Sequence, residues 1–201
     1  MNYLAHLLLS GPDRDMQVGG LLGDFVKGPL RNELPATIEQ GIQLHRRLDS
    51  LTDRHAAFVA ATACLPAPWR RYRGILLDIY FDHLLADHWR DFHHQPLENF
   101  CADFYNHLQR HRAILPPRAL HFSQVAPRVG WLESYRSAGN LPLMLDNVGK
   151  RLRRPVPLGD ALPLLADNRD FLTEHFHTLM ADLLVFASEY RQNASVLHTD
   201  Q

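Results

Sequence analysis

Asp and His recur in this sequence on faces that should be apolar. Across 69–92, Ile75, Asp78, Ile79, Asp82, Leu85, Ala86 and Trp89 follow one another at three- and four-residue spacing, the stripe that a helix turns to the core. Two Asp one turn apart sit in the middle of it. Burying an ionised carboxylate costs roughly several kcal/mol unless a cation or hydrogen-bond donors compensate. His83 follows Asp82, about 100° further round the helix. Across 37–64 the stripe reads Ile38, Ile42, His45, Asp49, Thr52, with His45 and Asp49 stacked four apart. Arg46 and Arg47 flank His45, and Asp53 follows one turn after Asp49. In a second helix Leu21, Asp24 and Gly28 share a line, and the first segment offers His6 after Asn2.

Asp and His without Cys suit a hard or borderline divalent ion, such as Mn, Mg or Fe, better than a closed structural zinc site. The other account of each residue is a satisfied buried polar group, a helix cap or an ion pair. A ferritin-like di-iron bundle needs two Glu-x-x-His motifs, and Glu174 to His177 is the one such motif here. Gly19, Gly20 and Gly23 lack the Lys-Ser/Thr ending of a phosphate loop, and no Gly-x-Ser-x-Gly elbow is present. His93–His94 and the pair His107/His111 lie amid polar residues and read as solvated faces.

The elements that must position these residues are punctuated by proline. Pro-free stretches at 36–65, 69–95, 97–115 and 164–201 carry apolar residues at helical spacing and predict four long helices. Shorter helices are expected at 2–10, 16–28, 118–138 and 141–152. No run alternates apolar and polar residues, so strands are not expected. The reading is a single all-α domain over 1–201, a bundle of about seven to nine helices. Its longest loop is expected at 155–163, and the polar tail after Tyr190 is expected to fray.

Composition narrows the function classes. With 46% apolar residues, 21% charged residues and a net charge of -1, the chain is neither disordered nor a general nucleic-acid binder. No stretch reaches roughly 18 uncharged apolar residues, so no membrane span is expected. Cys64 and Cys101 cannot build a disulfide framework, which fits a cytoplasmic protein. Arg clusters at Arg46-Arg47, at Arg70, Arg71 and Arg73, and beside Lys150 at Arg151, Arg153 and Arg154. Such clusters can grip phosphate or an acidic partner without making the chain basic overall.

Four segments, MNYLAH at 1–6, GGLLGDFVKG at 19–28, GIQLHRRLDSLTD at 41–53 and LDIYFDHLLADHW at 77–89, resemble the bacterial acyl carrier protein phosphodiesterase family. The matching residues are Asn2, Leu4, Ala5 and His6, then Asp24, Phe25 and Val26. His45, Arg46, Arg47 and Asp49 follow, then Asp78, Asp82, His83, His88 and Trp89. Ile114-Leu115-Pro116, Trp131 and Tyr135-Arg136 match more weakly, and little matches after 150. The resemblance implies a helical fold related to the HD phosphohydrolases. It also implies a Mn2+-dependent hydrolysis (Mg2+ or Fe2+ as alternatives) that releases 4'-phosphopantetheine from holo-acyl carrier protein. The chain has Asp82-His83 and no His-Asp pair, so ligand roles do not transfer directly. The expected metal cage is His6, Asp24, His45 and Asp78. Asp24, Asp49, Asp82 and His83 are the candidate proton carriers or supports, and Arg46 and Arg47 the candidate phosphate grips. Arg70, Arg71, Arg73, Lys150, Arg151, Arg153 and Arg154 are candidate contacts to the acidic carrier. An HD-type enzyme acting on small nucleotides and a non-enzymatic helical module are the competing accounts.

Overall fold

The computed structural model describes residues 2–199, with side chains through 194. The described residues contain α-helices and short 3-10 turns, and no strand. The α-helices number eleven, slightly above the expected range. They are α1 Tyr3–Leu9, α2 Arg14–Leu22, α3 Ala36–Thr52, α4 Ala56–Ala61, α5 Arg73–Asp87, α6 Trp89–Phe92, α7 Leu97–Arg110, α8 Pro117–Val129, α9 Leu141–Gly149, α10 Leu162–Asp167 and α11 Arg169–Thr199.

The surplus comes from breaks inside predicted helices, two of them made by a local side-chain contact. The stretch 36–65 is interrupted after Thr52, where His55 turns to extended backbone and its ring accepts the Ala57 N–H to start α4. The stretch 164–201 breaks at Asn168, whose side chain donates back to the Leu164 carbonyl. The stretch 69–95 opens as a 3-10 turn over Ala67–Tyr72 and breaks again at His88. The stretch 16–28 stops at Leu22, where Gly23 caps the helix and the chain turns with the Phe25 and Val26 N–H groups on the Leu22 carbonyl. The stretch 118–138 ends at Gly130, which takes the left-handed cap of α8 at φ 56°. The loop 155–163 is partly ordered: Leu158–Ala161 forms a 3-10 turn, and the Gly159 N–H donates to Asp146. Helix α11 continues past Tyr190, where the Tyr190 hydroxyl donates to the Gln40 carbonyl and Arg191 to the Leu9 carbonyl.

Helix α5 is the spine of the bundle. Its residues from Ile79 to Ala86 are all buried, and so are Leu76 and Leu77. It therefore carries no single core stripe, because neighbours cover it all round. Phe81 packs edge-on against Phe58 and Phe176, and Trp89 and Phe104 are also fully buried.

Helices α2 and α3 approach unusually closely. A Cβ on Gly19 would lie 2.1 Å from the Ile38 carbonyl oxygen, and one on Gly41 would lie 2.3 Å from that of Met16. Only glycine on both sides lets the two backbones touch. The Gly-rich segment is thus a packing device, consistent with its lack of a phosphate-loop ending.

Candidate metal centre and its neighbouring cavity

Three of the expected residues converge. His6 Nε2 lies 3.0 Å from Asp49 Oδ1, and His45 Nε2 lies 3.2 Å from Asp49 Oδ2. The two imidazoles stack with centroids 3.8 Å apart. Both His are buried, and Asp49 is partly open.

Each ring is set by backbone. His45 Nδ1 sits 2.8 Å from the Gly20 carbonyl oxygen, which can only accept, so this nitrogen carries the hydrogen. With its hydrogen on Nδ1 alone, the ring turns the lone pair of Nε2 toward a carboxylate oxygen. That is repulsive unless a proton or a cation lies between them. Gly23 makes the space, since a Cβ there would lie 2.2 Å from the His45 ring. The ring nitrogens of His6 are buried, and neither makes a hydrogen bond of acceptable geometry. Burial, with the neighbouring His45, pushes His6 down to about 4 and keeps it neutral. Burial opposes ionisation of Asp49, but the close rings of His45 and His6 hold its carboxyl well below the usual range. Two imidazoles and one carboxylate, with the His6 ring nitrogens left unsatisfied, are a donor set suited to a divalent cation.

Asp82 has a different task. It is fully buried on α5 and accepts the Leu4 N–H at 2.8 Å and the Ala5 N–H at 3.2 Å. It caps the first turn of α1 from another helix. Asn2 accepts the Tyr3 N–H and donates to the Tyr135 hydroxyl at 2.9 Å. The Asn-x-Leu-Ala-His segment is therefore a docking sequence that delivers His6. Burial raises Asp82 to about 7, against the pull of these two N–H donors.

The remaining expected residues lie elsewhere. Asp24 and Asp78 are outside the group of three converging donors. Asp24 is exposed in the turn after α2, and its charge, second to burial, helps raise the Tyr3 phenol to about 12. Asp78 is half-buried one turn before Asp82 and raises it further. His83 faces the Tyr135 carbonyl at 2.8 Å and Arg169 at 3.4 Å. Arg46 donates to the Val26 carbonyl at 2.9 Å, tying down the turn after α2, and Arg47 lies over the Tyr190 ring. Arg73 is committed to the Leu65 carbonyl, while Arg70 and Arg71 are exposed. Lys150, Arg151, Arg153 and Arg154 are exposed as well.

A cavity of about 460 Å³ opens between Tyr3, Phe25, Phe122 and Trp131, with Arg118, His121 and Arg151 on its wall. Its size is that of a small-molecule site. Tyr3 lies one turn before His6 on α1, and Phe25 follows Asp24. Sequence reasoning missed this cavity, because its walls come from α1, the turn after α2, α8 and the segment around Arg151. It also missed the cradle at Gly20 and Gly23.

A family model described as Acyl carrier protein phosphodiesterase matches residues 1–183. Curated relatives carry that same description. The protein from Klebsiella pneumoniae subsp. pneumoniae is 32% identical over 177 residues, covering 88% of this chain and 92% of the relative. That from Serratia proteamaculans is 32% identical over 197 residues, covering 96% and 97%. That from Yersinia pestis is 34% identical over 193 residues, covering 92% and 93%. No solved structure matches the chain. A match of this extent and identity means that the chain belongs to the acyl carrier protein phosphodiesterase family.

Proposed function

We propose that the protein hydrolyses the phosphodiester between 4'-phosphopantetheine and the serine of holo-acyl carrier protein. Water oxygen forms a new bond to phosphorus, the bond from phosphorus to the serine oxygen breaks, and that oxygen leaves with a proton as the free hydroxyl. The observation that carries this reading is the convergence of His6, His45 and Asp49, with the His6 ring nitrogens unsatisfied. A divalent ion there, Mn2+ in this proposal, supplies Lewis-acid charge to a phosphoryl oxygen and lowers the pKa of water.

The chain's own residues do the rest. Asp82 positions His6 through the backbone of α1. Asp24 and Asp78 are proposed as the carboxylates that complete the donor set or carry protons, because they flank Tyr3 and Asp82. The cavity takes the pantetheine arm, with Tyr3 held neutral as a hydrogen-bond donor and Arg118 and Arg151 meeting negative charge. Lys150, Arg153 and Arg154 extend that basic rim toward the acidic carrier protein. The carrier-protein substrate and the two free cysteines support a reading of the activity as part of cytoplasmic lipid metabolism. No described helix is long and apolar enough to cross a membrane.

The test is to incubate the protein with Mn2+ and holo-carrier protein and weigh the carrier by mass spectrometry. Loss of the phosphopantetheine mass is expected, slower at high salt because rim charges steer encounter. No mass loss in a protein that binds Mn2+, or faster turnover of nucleotides than of carrier, would overturn the reading.

A further inference from the structure

We propose that Asp15, His107 and His111 form a second metal site, separate from the centre above, which takes a borderline divalent cation such as Zn2+ or Co2+. Asp15 lies in the first turn of α2, and His107, in the last turn of α7, lies one turn before His111, which caps that helix. His107 Nε2 is 2.7 Å from Asp15 Oδ1, and His111 Nε2 is 2.9 Å from the same oxygen. The two Nε2 atoms are 3.2 Å apart. A cation about 2.1 Å from each donor fits over a triangle of that size. Both rings aim the same nitrogen at one point, although imidazoles that merely paired with Asp15 had its two oxygens to choose from.

The donor chemistry selects the ion. Two imidazoles and a carboxylate suit Zn2+ or Co2+ better than Mg2+ or Ca2+, which prefer oxygen. All three residues are half-buried, so an ion would retain open positions toward a groove lined by Arg14, Asp103, Asn106 and Arg110. The cation closest in sequence, Arg14, is committed to Asp103 at 3.1 Å and to Gln17 at 3.0 Å. The site joins α2 to α7, and α2 carries Gly20, whose carbonyl meets His45, and ends at Gly23, which makes room for that ring. Its occupancy thus stabilises the helix on which the other centre leans, without touching that centre's donors.

A third group, His88, Asp91 and His177, is looser. Its closest ion-pair distance, from His88 Nδ1 to Asp91, is 3.5 Å. It serves as the internal control.

The experiment uses untagged, metal-stripped protein carrying His6→Ala and His45→Ala, which removes the first centre. Titration with Co2+ is followed by visible absorption and then by displacement with Zn2+. One equivalent of Co2+ is expected, with a rise in Tm of about 5 °C at saturating Zn2+. Adding His107→Gln or Asp15→Asn should abolish both, and adding His177→Gln should change neither. No Co2+ bound, binding that survives His107→Gln, or binding lost with His177→Gln would each overturn the proposal. If circular dichroism shows the double variant unfolded, the same titration is run on the wild-type chain. There His107→Gln should remove one equivalent of Co2+, and an unchanged stoichiometry would overturn the site.

Discussion

Of the three groupings of two His and one Asp among the described residues, the two tighter ones are built differently. In the first, His6 and His45 are buried, their rings stack, and the Gly20 carbonyl and the space left by Gly23 fix the His45 ring. In the second, His107 and His111 are half-exposed and meet Asp15 through ordinary hydrogen bonds. The same set of side chains therefore differs between the two places in how much of the fold is committed to it. The first has a carbonyl fixing a tautomer, a glycine cradle and a capped helix behind it. The second needs two helix ends to meet. Chemistry on a phosphodiester demands fixed donors, whereas a helix clamp tolerates looser ones.

The largest effect separates the two by activity. Asp49→Ala or His45→Ala is expected to lower turnover of holo-carrier protein by roughly 10³-fold, while His107→Gln stays within about twofold. Comparable losses from both, in assays on folded protein, would erase the distinction.

The next is a pH effect in metal-free buffer. His6 titrates near 4 in the folded chain and near 6.5 when unfolded. Between these values the unfolded state takes up a proton that the folded state refuses, so its share of stability is lost as pH falls. Asp82, raised by burial, runs in the opposite sense: its contribution is lost as pH rises through about 7. The difference between His6→Gln and wild type cancels Asp82. That difference should shift by roughly 3 kcal/mol in favour of the variant from pH 7 to pH 4. Urea unfolding at each pH measures it, and a flat difference would mean that His6 is not held neutral.

Gly23→Ala sharpens the comparison further, because the second grouping has no such cradle. The added methyl overlaps the His45 ring, and metal affinity at the first centre should fall about 10- to 100-fold. Isothermal titration with Mn2+ reads this directly. Asp82→Asn is the smallest change. Its amide can accept one of the two α1 N–H groups but turns an NH2 toward the other, costing about 1–3 kcal/mol. Thermal unfolding should show that loss, together with weaker metal binding through the displaced His6.

Much of this was legible in the chain itself. Proline spacing located the long helices, and His45 and Asp49 stood out on an apolar stripe at one-turn spacing. His6 was found through its motif. What stayed hidden was set by contacts distant in sequence or by single side chains at helix ends. Asp82 read as a buried carboxylate in need of a cation or hydrogen-bond donors, and its partners are backbone N–H groups on α1, which no periodicity on α5 can announce. His107 and His111 read as solvated because Asp15 belongs to a helix far earlier in the chain. Asp24 and Asp78 matched a motif, yet the three converging donors are His6, His45 and Asp49. The breaks at His55 and Asn168 depend on side-chain to backbone bonds that compete with helix continuation only locally.

The capping of α1 by Asp82 bears on the order of assembly. A seven-residue helix is too short to persist alone in water. The segment bearing His6 leaves the ribosome well before α5, which holds its cap. A part of the chain made before α5 is thus installed only after it. A partly folded intermediate would keep much of its helix content while lacking one imidazole of the centre. Recovery of metal binding during refolding should therefore trail recovery of helix signal.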